Sequence, residues 1–192
     1  YEMVSCDWSS DVCSSDLVLD TLQQPALVEE FIDGREFHVS FWGNRRLEML
    51  PPVEMDFSRL SDVHERLCGY DAKFSPQSRP YTEIQTILPA VLSTQELARL
   101  KQVCSAAYRA LGCRDYGRLD VRMRDGEFYV LDVNPNADFS ADASMACAAE
   151  HMGYSYGAMG SRVLHFAAAR SRRAAPPARR RTPVRRSCRA SA

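Results

Sequence analysis

Two strand-forming runs separated by a tight-turn signal lie past the middle of the chain and restrict the folds that are open to it. Residues 117–123 read GRLDVRM, residues 127–134 read EFYVLDVN, and Arg124-Asp125-Gly126 separates them. Asp-Gly between two such runs favours a β-hairpin, because glycine accepts the left-handed backbone of a tight turn. The runs are therefore predicted to pair as antiparallel strands.

The second run ends in two polar residues at alternate positions. Asp132 and Asn134 follow the apolar stretch 128–131, and a spacing of two places both side chains on one face of a strand. Such a pattern is typical either of a strand that runs out into solvent or of ligands for a cation. On these residues alone the solvent-exposed alternative is the commoner one.

The length of the turn decides which residues face Asp132. A two-residue turn would pair Arg124 with Glu127 and would place Asp132 on the face of Leu119 and Val121. A carboxylate buried there without a partner would cost several kcal/mol. This cost argues against the two-residue turn.

We therefore predict a three-residue turn over 124–126, with Gly126 left-handed, which pairs Met123 with Glu127. Arg118 then lies opposite Asp132, and Asp120 lies diagonal to Asp132 at about 7–8 Å between backbones. In that register apolar side chains share one face and polar side chains the other: Leu119, Val121, Tyr129, Leu131 and Val133 against Arg118, Asp120, Asp132 and Asn134. Such oxygen ligands suit Mg²⁺ or Mn²⁺, and a neighbouring arginine suits a bound phosphate.

Periodicity and turn residues predict the remaining elements, which together indicate an α+β fold with a mostly antiparallel sheet and packed helices. Ser93 or Thr94 is a candidate cap for the long helix, and Gly112 is a candidate end. The predicted elements are strands at 26–32, 36–42 and 47–53, an exposed loop at 68–80, and helices at 93–111, 144–151 and 154–169.

Composition limits the classes of protein that remain. Seven cysteines without a C-x-x-C pair favour reduced thiols over a disulfide framework or a zinc site. No apolar run is long enough to span a membrane and no secretory pattern begins the chain, so we expect a cytoplasmic protein without membrane contact. Residues 1–17 repeat Ser-Ser-Asp without periodicity and are interpreted as a non-native segment.

Charge is divided unevenly along the chain. The net charge is −1, but nine arginines and no acidic residue lie from Arg170 onward. Residues 170–192 are also rich in proline and alanine and are predicted to be a basic disordered tail. No aromatic residue is interleaved with these arginines to stack on bases, so nucleic acid is an unfavoured partner.

Four segments in series resemble the C-terminal part of ATP-grasp carboxylate-amine ligases, specifically the D-alanine-D-alanine ligase-like group. They are VEEFIDGREFHV (28–39), GYDAKF (69–74), ALGCRDYGRLDVRM (110–123) and YVLDVNPN (129–136). The resemblance covers roughly residues 25–168. It implies an ATP-grasp C-terminal domain over 18–169 that is truncated at its N-terminal side.

The resemblance also implies roles for particular residues. It places Glu29, Glu30, Phe31 and Ile32 along the adenine, Glu36 at the ribose hydroxyls, and Lys73, in a lid with Tyr70, at the ATP phosphates. It makes Asp120, Asp132 and Asn134 ligands of two Mg²⁺ ions and makes Arg118 the catalytic arginine that steadies the transferred phosphoryl group. The implied reaction joins a small carboxylate to an amine, possible substrates being amino acids, through an acyl phosphate.

Two departures from the family pattern qualify this interpretation. Asp138 stands about where the family has glycine, and its charge should repel an acceptor that carries a second carboxylate, which leaves the acceptor open. The N-terminal substrate domain, a second phosphate-binding lysine and a Gly/Ser-rich loop are not found in residues 1–25. The chain is therefore expected to be an inactive ligase fragment; the alternatives are a non-catalytic nucleotide- and Mg²⁺-binding module and a basic-tailed interaction protein.

Overall fold

The computed structural model describes residues 20, 23–25, 29–69, 72, 75 and 77–174. Within these residues the strands form one antiparallel sheet in the order β4-β3-β1-β5-β6, and β2 also pairs with β1. The strands are β1 (Arg35–Trp42), β2 (Glu48–Met49), β3 (Val53–Asp56), β4 (Gln85–Ile87), β5 (Tyr116–Arg124) and β6 (Glu127–Asn134). The predicted α+β class with a mostly antiparallel sheet is confirmed.

Helices cover both faces of the sheet. The described ones are α1 (Arg79–Glu83), α2 (Thr94–Ala110), α3 (Ser144–His151) and α4 (Tyr156–Ala174), with a 3₁₀ turn at Val63–Glu65. The long helix α2 begins with a capping box, in which the Ser93 hydroxyl accepts from the N–H of Glu96 and the Glu96 carboxylate accepts from the N–H of Ser93. It ends before Gly112, which is left-handed at φ +68°, as the sequence predicted.

The two faces of the sheet differ in chemistry. Under α2 the centre of the face is apolar, with Phe37, Val39, Leu119 and Val121 packed against Leu100, Cys104 and Tyr108. The ion pair between Arg35 and Glu54, at 2.7 Å, lies at the edge of this face. On the opposite face Trp42, Val53 and Met55 pack against α3 and α4 through residues such as Met145 and Met159. The remainder of that second face, toward β5 and β6, carries polar side chains.

The register of the β5–β6 hairpin corrects the sequence prediction. Arg124 pairs directly with Glu127, so the turn has two residues, and both Asp125 (φ +54°) and Gly126 (φ +80°) are left-handed. The pairing then shifts between Asp120 and Val121, because Leu131 is an extra residue on β6. The predicted three-residue turn is wrong. The one-residue shift in pairing that it would have produced comes instead from a β-bulge at Leu131.

The bulge also changes which residues face each other. Asp120 lies directly opposite Asp132 instead of diagonal to it, and Arg118 lies opposite Asn134 instead of Asp132. Tyr129 pairs with Arg122 and therefore leaves the predicted apolar face. The four polar residues nevertheless share one face, because the bulge reverses the alternation of β6 after Val130.

Other boundaries differ from the predictions. Residues 29–34 form no strand, and the described part of the predicted strand 26–32 is wrong; residues 26–28 lie outside the described part. The predicted strand 47–53 is divided into β2 and the start of β3, and of the predicted loop 68–80 only part is described. Helix α4 continues to Ala174, beyond the expected end of the domain at Ala169.

Arg170 joins α4 to the sheet. Its guanidinium donates to both carboxylate oxygens of Asp115, at 2.7 Å from Nη2 to Oδ2 and 3.2 Å from Nε to Oδ1, and the Asn44 amide also donates to Asp115. The start of the predicted basic tail therefore belongs to the folded part. Among the described residues, no helix is both long enough and apolar enough to cross a membrane.

Candidate functional site

A row of polar side chains crosses one face of the sheet at its β5–β6 side. The register pairs His38 with Asp120 and Asp120 with Asp132, so that three neighbouring strands each contribute one residue. Arg118 pairs with Asn134 in the next position. Cross-strand partners have their side chains on the same face, about 5 Å apart at Cβ. The structure therefore brings the three predicted metal ligands and Arg118 onto one surface.

Arg118 and Asp120 form a two-point ion pair within this row. The guanidinium Nε is 2.7 Å from Oδ1 of Asp120, and Nη2 is 2.9 Å from Oδ2. Burial by itself would lower the pKa of Arg118, but the hydrogen bonds and charge of Asp120, with the charges of Asp132 and Asp138, raise the pKa above its usual value. Arg118 therefore stays charged and can attract an anion.

Asp132 and Asn134 extend the site toward the end of β6. The Asn134 amide donates to Oδ2 of Asp132 at 2.8 Å, and the N–H of Val133 donates to Oδ1 at 2.7 Å. Because the Asn134 side chain donates through its nitrogen, its oxygen can serve a cation. Asp120 and Asp132 are like charges directly opposite each other, an arrangement that is destabilising unless a positive charge lies between or beside them.

Glu36 is buried on the same face and is held by Arg122. The Nε of Arg122 is 2.8 Å from Oε2 of Glu36, and both side chains are almost completely buried. Arg122 also donates to the carbonyl oxygen of Ile32 at 2.8 Å and to the carbonyl oxygen of Arg66. Its guanidinium carbon lies 4.8 Å from the centre of the Phe31 ring. One buried arginine thus fixes Glu36 relative to the segment before β1.

The predicted nucleotide-binding residues are only partly brought together. Ile32 is buried, Phe31 is half-buried, and Glu29 and Glu30 are exposed. Glu30 is paired with Arg124 at 2.9 Å, outside the row of polar residues. Lys73 and Tyr70 lie outside the described residues.

Three residues at this face were not among the predicted site residues. Arg122 could have been found, because it continues the alternation of Arg118 and Asp120 along β5. His38 and Ser144 had no local signal, since the 2.8 Å hydrogen bond between His38 Nδ1 and Ser144 Oγ joins residues that are 106 positions apart.

Asp138 lies beyond the end of β6 and is ionised over the neutral range. It accepts hydrogen bonds from the backbone N–H of Ser140, at 2.9 Å, and from the Ser140 hydroxyl. These bonds, with a contribution from the charge of Arg118, hold the pKa of Asp138 below its usual value. A fixed negative charge therefore stands next to the row of polar residues.

Comparison with known proteins places this chain in a family. The model described as D-ala D-ala ligase C-terminus matches residues 18–165. Uncharacterized protein y4sG of Sinorhizobium fredii is 34% identical over 152 residues, covering 79% of this chain and 43% of that protein. A D-alanine–D-alanine ligase of Desulforamulus reducens is 29% identical over 144 residues, covering 75% of this chain and 43% of the ligase.

Solved structures share the fold. A crystal structure of D-alanine–D-alanine ligase from Bacillus anthracis complexed with ATP superposes with a TM-score of 0.59 at 18% identity, over 77% of this chain and 42% of the other. The chain thus spans less than half the length of each of these proteins. The family match extends over most of the chain and includes both strands that carry the polar row, and the chain belongs to the family of D-alanine–D-alanine ligase C-terminal domains.

Proposed function

We propose that this chain is the nucleotide- and metal-binding part of an ATP-dependent carboxylate-amine ligase that forms an amide bond through an acyl phosphate. The observation that carries the proposal is the Arg118–Asp120 ion pair, with Asp132 directly across from Asp120 and Asn134 directly across from Arg118. Family membership supports the class of enzyme, and the row supplies the residue types that such chemistry needs.

The donor set fits Mg²⁺ or Mn²⁺. Two carboxylates and an amide oxygen are hard ligands, and each carboxylate oxygen of Asp120 has a second lone pair beside the one that accepts from Arg118. Asp120, Asp132 and Asn134 would hold the metal, with two ions as the proposed number. When bound, the ions neutralise charge on the ATP phosphates.

Arg118 and the ligands would act by position and charge. A carboxylate oxygen of the first substrate attacks the γ-phosphorus of ATP, and the bond to the leaving ADP oxygen breaks. The amine nitrogen of the second substrate then attacks the acyl carbon, inorganic phosphate leaves, and the nitrogen gives up a proton. Arg118 is charged and stands beside the metal ligands, so it can steady the transferred phosphoryl group and the tetrahedral intermediate.

Glu36 and the segment 29–32 are proposed to hold the nucleoside. Arg122 supports this by fixing both the Glu36 carboxylate and the carbonyl group of Ile32 in one network. Glu36 would accept from the ribose hydroxyls, while Phe31 and Ile32 would lie beside the adenine. Lys73 is proposed to contact the phosphates.

The substrates are proposed to be small carboxylates and amines of the amino-acid type. The curated relative from Desulforamulus reducens is named for D-alanine, which makes D-alanine the first substrate to test. Asp138 is ionised beside Arg118, so an acceptor with a free carboxylate meets a like charge at this position. The remaining parts of the ligase, including an N-terminal substrate domain, are proposed to lie in a longer parent protein.

The test is ATP turnover by a parent protein that contains the upstream part. We expect Asp132→Ala to lower Mg²⁺-dependent release of ADP by more than about 100-fold, because the ions lose a ligand. Asp125→Asn is the matched control: it removes an acidic charge from the same hairpin at a left-handed turn position that suits asparagine. Near-normal turnover in Asp132→Ala would refute the ligand assignment.

A second outcome separates the ligase from the non-catalytic module. If a non-hydrolysable ATP analogue binds with Mg²⁺ and depends on Asp120 and Asp132, but no amino acid stimulates ADP release, the site binds nucleotide without catalysing ligation. Screening D-alanine and other amino acids, in the wild type and in Asp138→Gly, provides this measurement. We expect Asp138→Gly to favour acceptors that carry a carboxylate.

A further inference from the structure

Three side chains with different donor atoms meet on the polar face beside Asp120. Glu36 and His38 alternate along β1, and Cys68 comes from the segment after the 3₁₀ turn. A carboxylate oxygen, a ring nitrogen and the Sγ atom of these residues all lie within 4.8 Å of one another. Among the residues that the structure describes, no other group of three His, Cys, Asp or Glu side chains comes this close.

This donor set differs from that of the proposed magnesium site. Thiolate and imidazole favour Zn²⁺ and similar thiophilic ions, whereas Mg²⁺ takes oxygen ligands in octahedral geometry. Ligand bonds of about 2.0–2.3 Å in a tetrahedral Zn²⁺ site place neighbouring donors roughly 3.4–3.7 Å apart. His38 Nε2 and Glu36 Oε1 are 3.9 Å apart, so this pair needs only a small side-chain movement.

The groups around these donors resemble the outer shell of a metal site. The His38 Nδ1 atom is 2.8 Å from Ser144 Oγ. In the tautomer that donates from Nδ1 to this hydroxyl, Nε2 carries the lone pair that a metal requires. Arg122 holds the other oxygen of Glu36 at 2.8 Å, which fixes the carboxylate. Glu36 and His38 are 3% and 6% exposed, so both are already largely removed from water.

We propose that Glu36, His38 and Cys68 bind a thiophilic divalent metal ion, with Zn²⁺ as the expected occupant. Three protein ligands leave one position for water or for Asp120, whose Oδ1 is 4.0 Å from His38 Nε2. Cysteine spacing could not indicate this site, because two of its ligands are a histidine and a glutamate on a strand.

The site would regulate the nucleotide pocket. Glu36 is the acid proposed for the ribose hydroxyls, so the ion and the nucleotide would compete for one carboxylate. This consequence rests on the proposed function, whereas the metal site itself does not. Bound Zn²⁺ would then prevent ATP from binding until the ion is removed.

Titration of the 192-residue chain with Co²⁺ tests the site, because a thiolate ligand gives cobalt a near-ultraviolet charge-transfer band. We expect the band in the wild type and in Cys113→Ser, a partly buried control cysteine, and we expect none in Cys68→Ser. Ser144→Ala should weaken binding about 10- to 100-fold, as loss of an outer-shell partner does, and His38→Gln should weaken it further.

Absence of the band in the wild type, or its persistence in Cys68→Ser, would overturn the proposal. X-ray absorption of the Zn²⁺-loaded wild type needs no variant: one sulfur and two or more nitrogen or oxygen ligands are expected, and coordination without sulfur would overturn the site. A non-hydrolysable ATP analogue with Mg²⁺ should raise the apparent Kd for Co²⁺. A thiolate band that the analogue leaves unchanged would overturn the competition alone.

Discussion

The two faces of the sheet are built from the same strands but contribute to different properties. Under α2 the central inward positions of β1 and β5 are apolar and buried, as at Phe37, Val39, Leu119 and Val121. On the other face most of the alternate residues of the same strands are charged or polar and pair with one another across the sheet, as Glu36 does with Arg122 and His38 with Asp120. The first face therefore stabilises the fold, and the second holds the candidate site.

The boundary between these roles depends on one residue. If Leu131 paired with Asp120 in a regular ladder instead of forming the bulge, Asp132 would lie opposite Leu119, and Asp132 and Asn134 would point toward α2. The bulge reverses the alternation of side chains along β6 between Val130, which packs in the core, and Asp132, a proposed metal ligand. Bulges commonly occur next to active sites because they redirect side chains in this way.

Leu119→Asp should give the largest effect. Leu119 is fully buried under α2, so the change places an unpaired carboxylate on the apolar face and should lower the free energy of unfolding by at least about 5 kcal/mol. Urea unfolding followed by circular dichroism measures this. Leu131→Asp is the matched control, since Leu131 is 39% exposed at the bulge of the neighbouring strand. Equal stability of Leu119→Asp and the wild type would show that the face under α2 does not stabilise the fold.

Phe37→Ala should give the next largest effect. Phe37 is fully buried under α2 and packs edge-on against Phe128, with ring centres 6.2 Å apart. Its truncation should lower the free energy of unfolding by about 3–5 kcal/mol because it leaves a cavity. Denaturant titration checks this, and a loss below about 1 kcal/mol would contradict the assignment of stability to this face.

Asp115→Asn should have an intermediate effect that depends on pH. The hydrogen bonds from Arg170, more than the one from Asn44, hold the pKa of Asp115 below its usual value despite partial burial. The stabilisation is therefore present above the ordinary carboxyl range, near pH 4, and is lost as pH falls through the lower folded-state pKa. We expect a loss of about 1–3 kcal/mol at pH 7 that shrinks below about pH 4. Thermal unfolding of the wild type and of Asp115→Asn across this pH range measures the difference. A difference in stability that did not change with pH would contradict a role for the Asp115 charge.

Asp132→Asn should have the smallest effect on stability. Asp132 is exposed and faces the like charge of Asp120, so neutralising it should change the free energy of unfolding by no more than about 0.5 kcal/mol, or raise it. Urea unfolding of this variant beside Asp115→Asn makes the comparison direct. A loss as large as that of Asp115→Asn would mean that the polar row is structural.

The regular parts of the fold could be predicted because their signals are local. Helix α2 follows from its capping residues and apolar stripe, and the hairpin follows from Asp-Gly. The sharing of a face by Asp120 and Asp132 was predicted for the wrong reason, since Leu131 looks like any core residue and a bulge has no local signature. The buried network of Arg122 joins residues as much as 90 positions apart, so it could not be derived from local pattern.

In the segment before β1, a local signal predicted a strand that does not form. Its apolar residues predicted a strand, but the carbonyl oxygen of Ile32 accepts from the buried Arg122 side chain. A long-range contact thus took precedence over local propensity.

Mn²⁺ binding to the 192-residue chain in the presence of ADP, followed by electron paramagnetic resonance of the unbound ion, tests the central claim most directly. We expect the wild type and Asp125→Asn to bind Mn²⁺ equally and Asp132→Asn to lose most of its affinity. Equal binding by Asp132→Asn would contradict the claim that the bulge turns this strand end into a ligand for the nucleotide's metal.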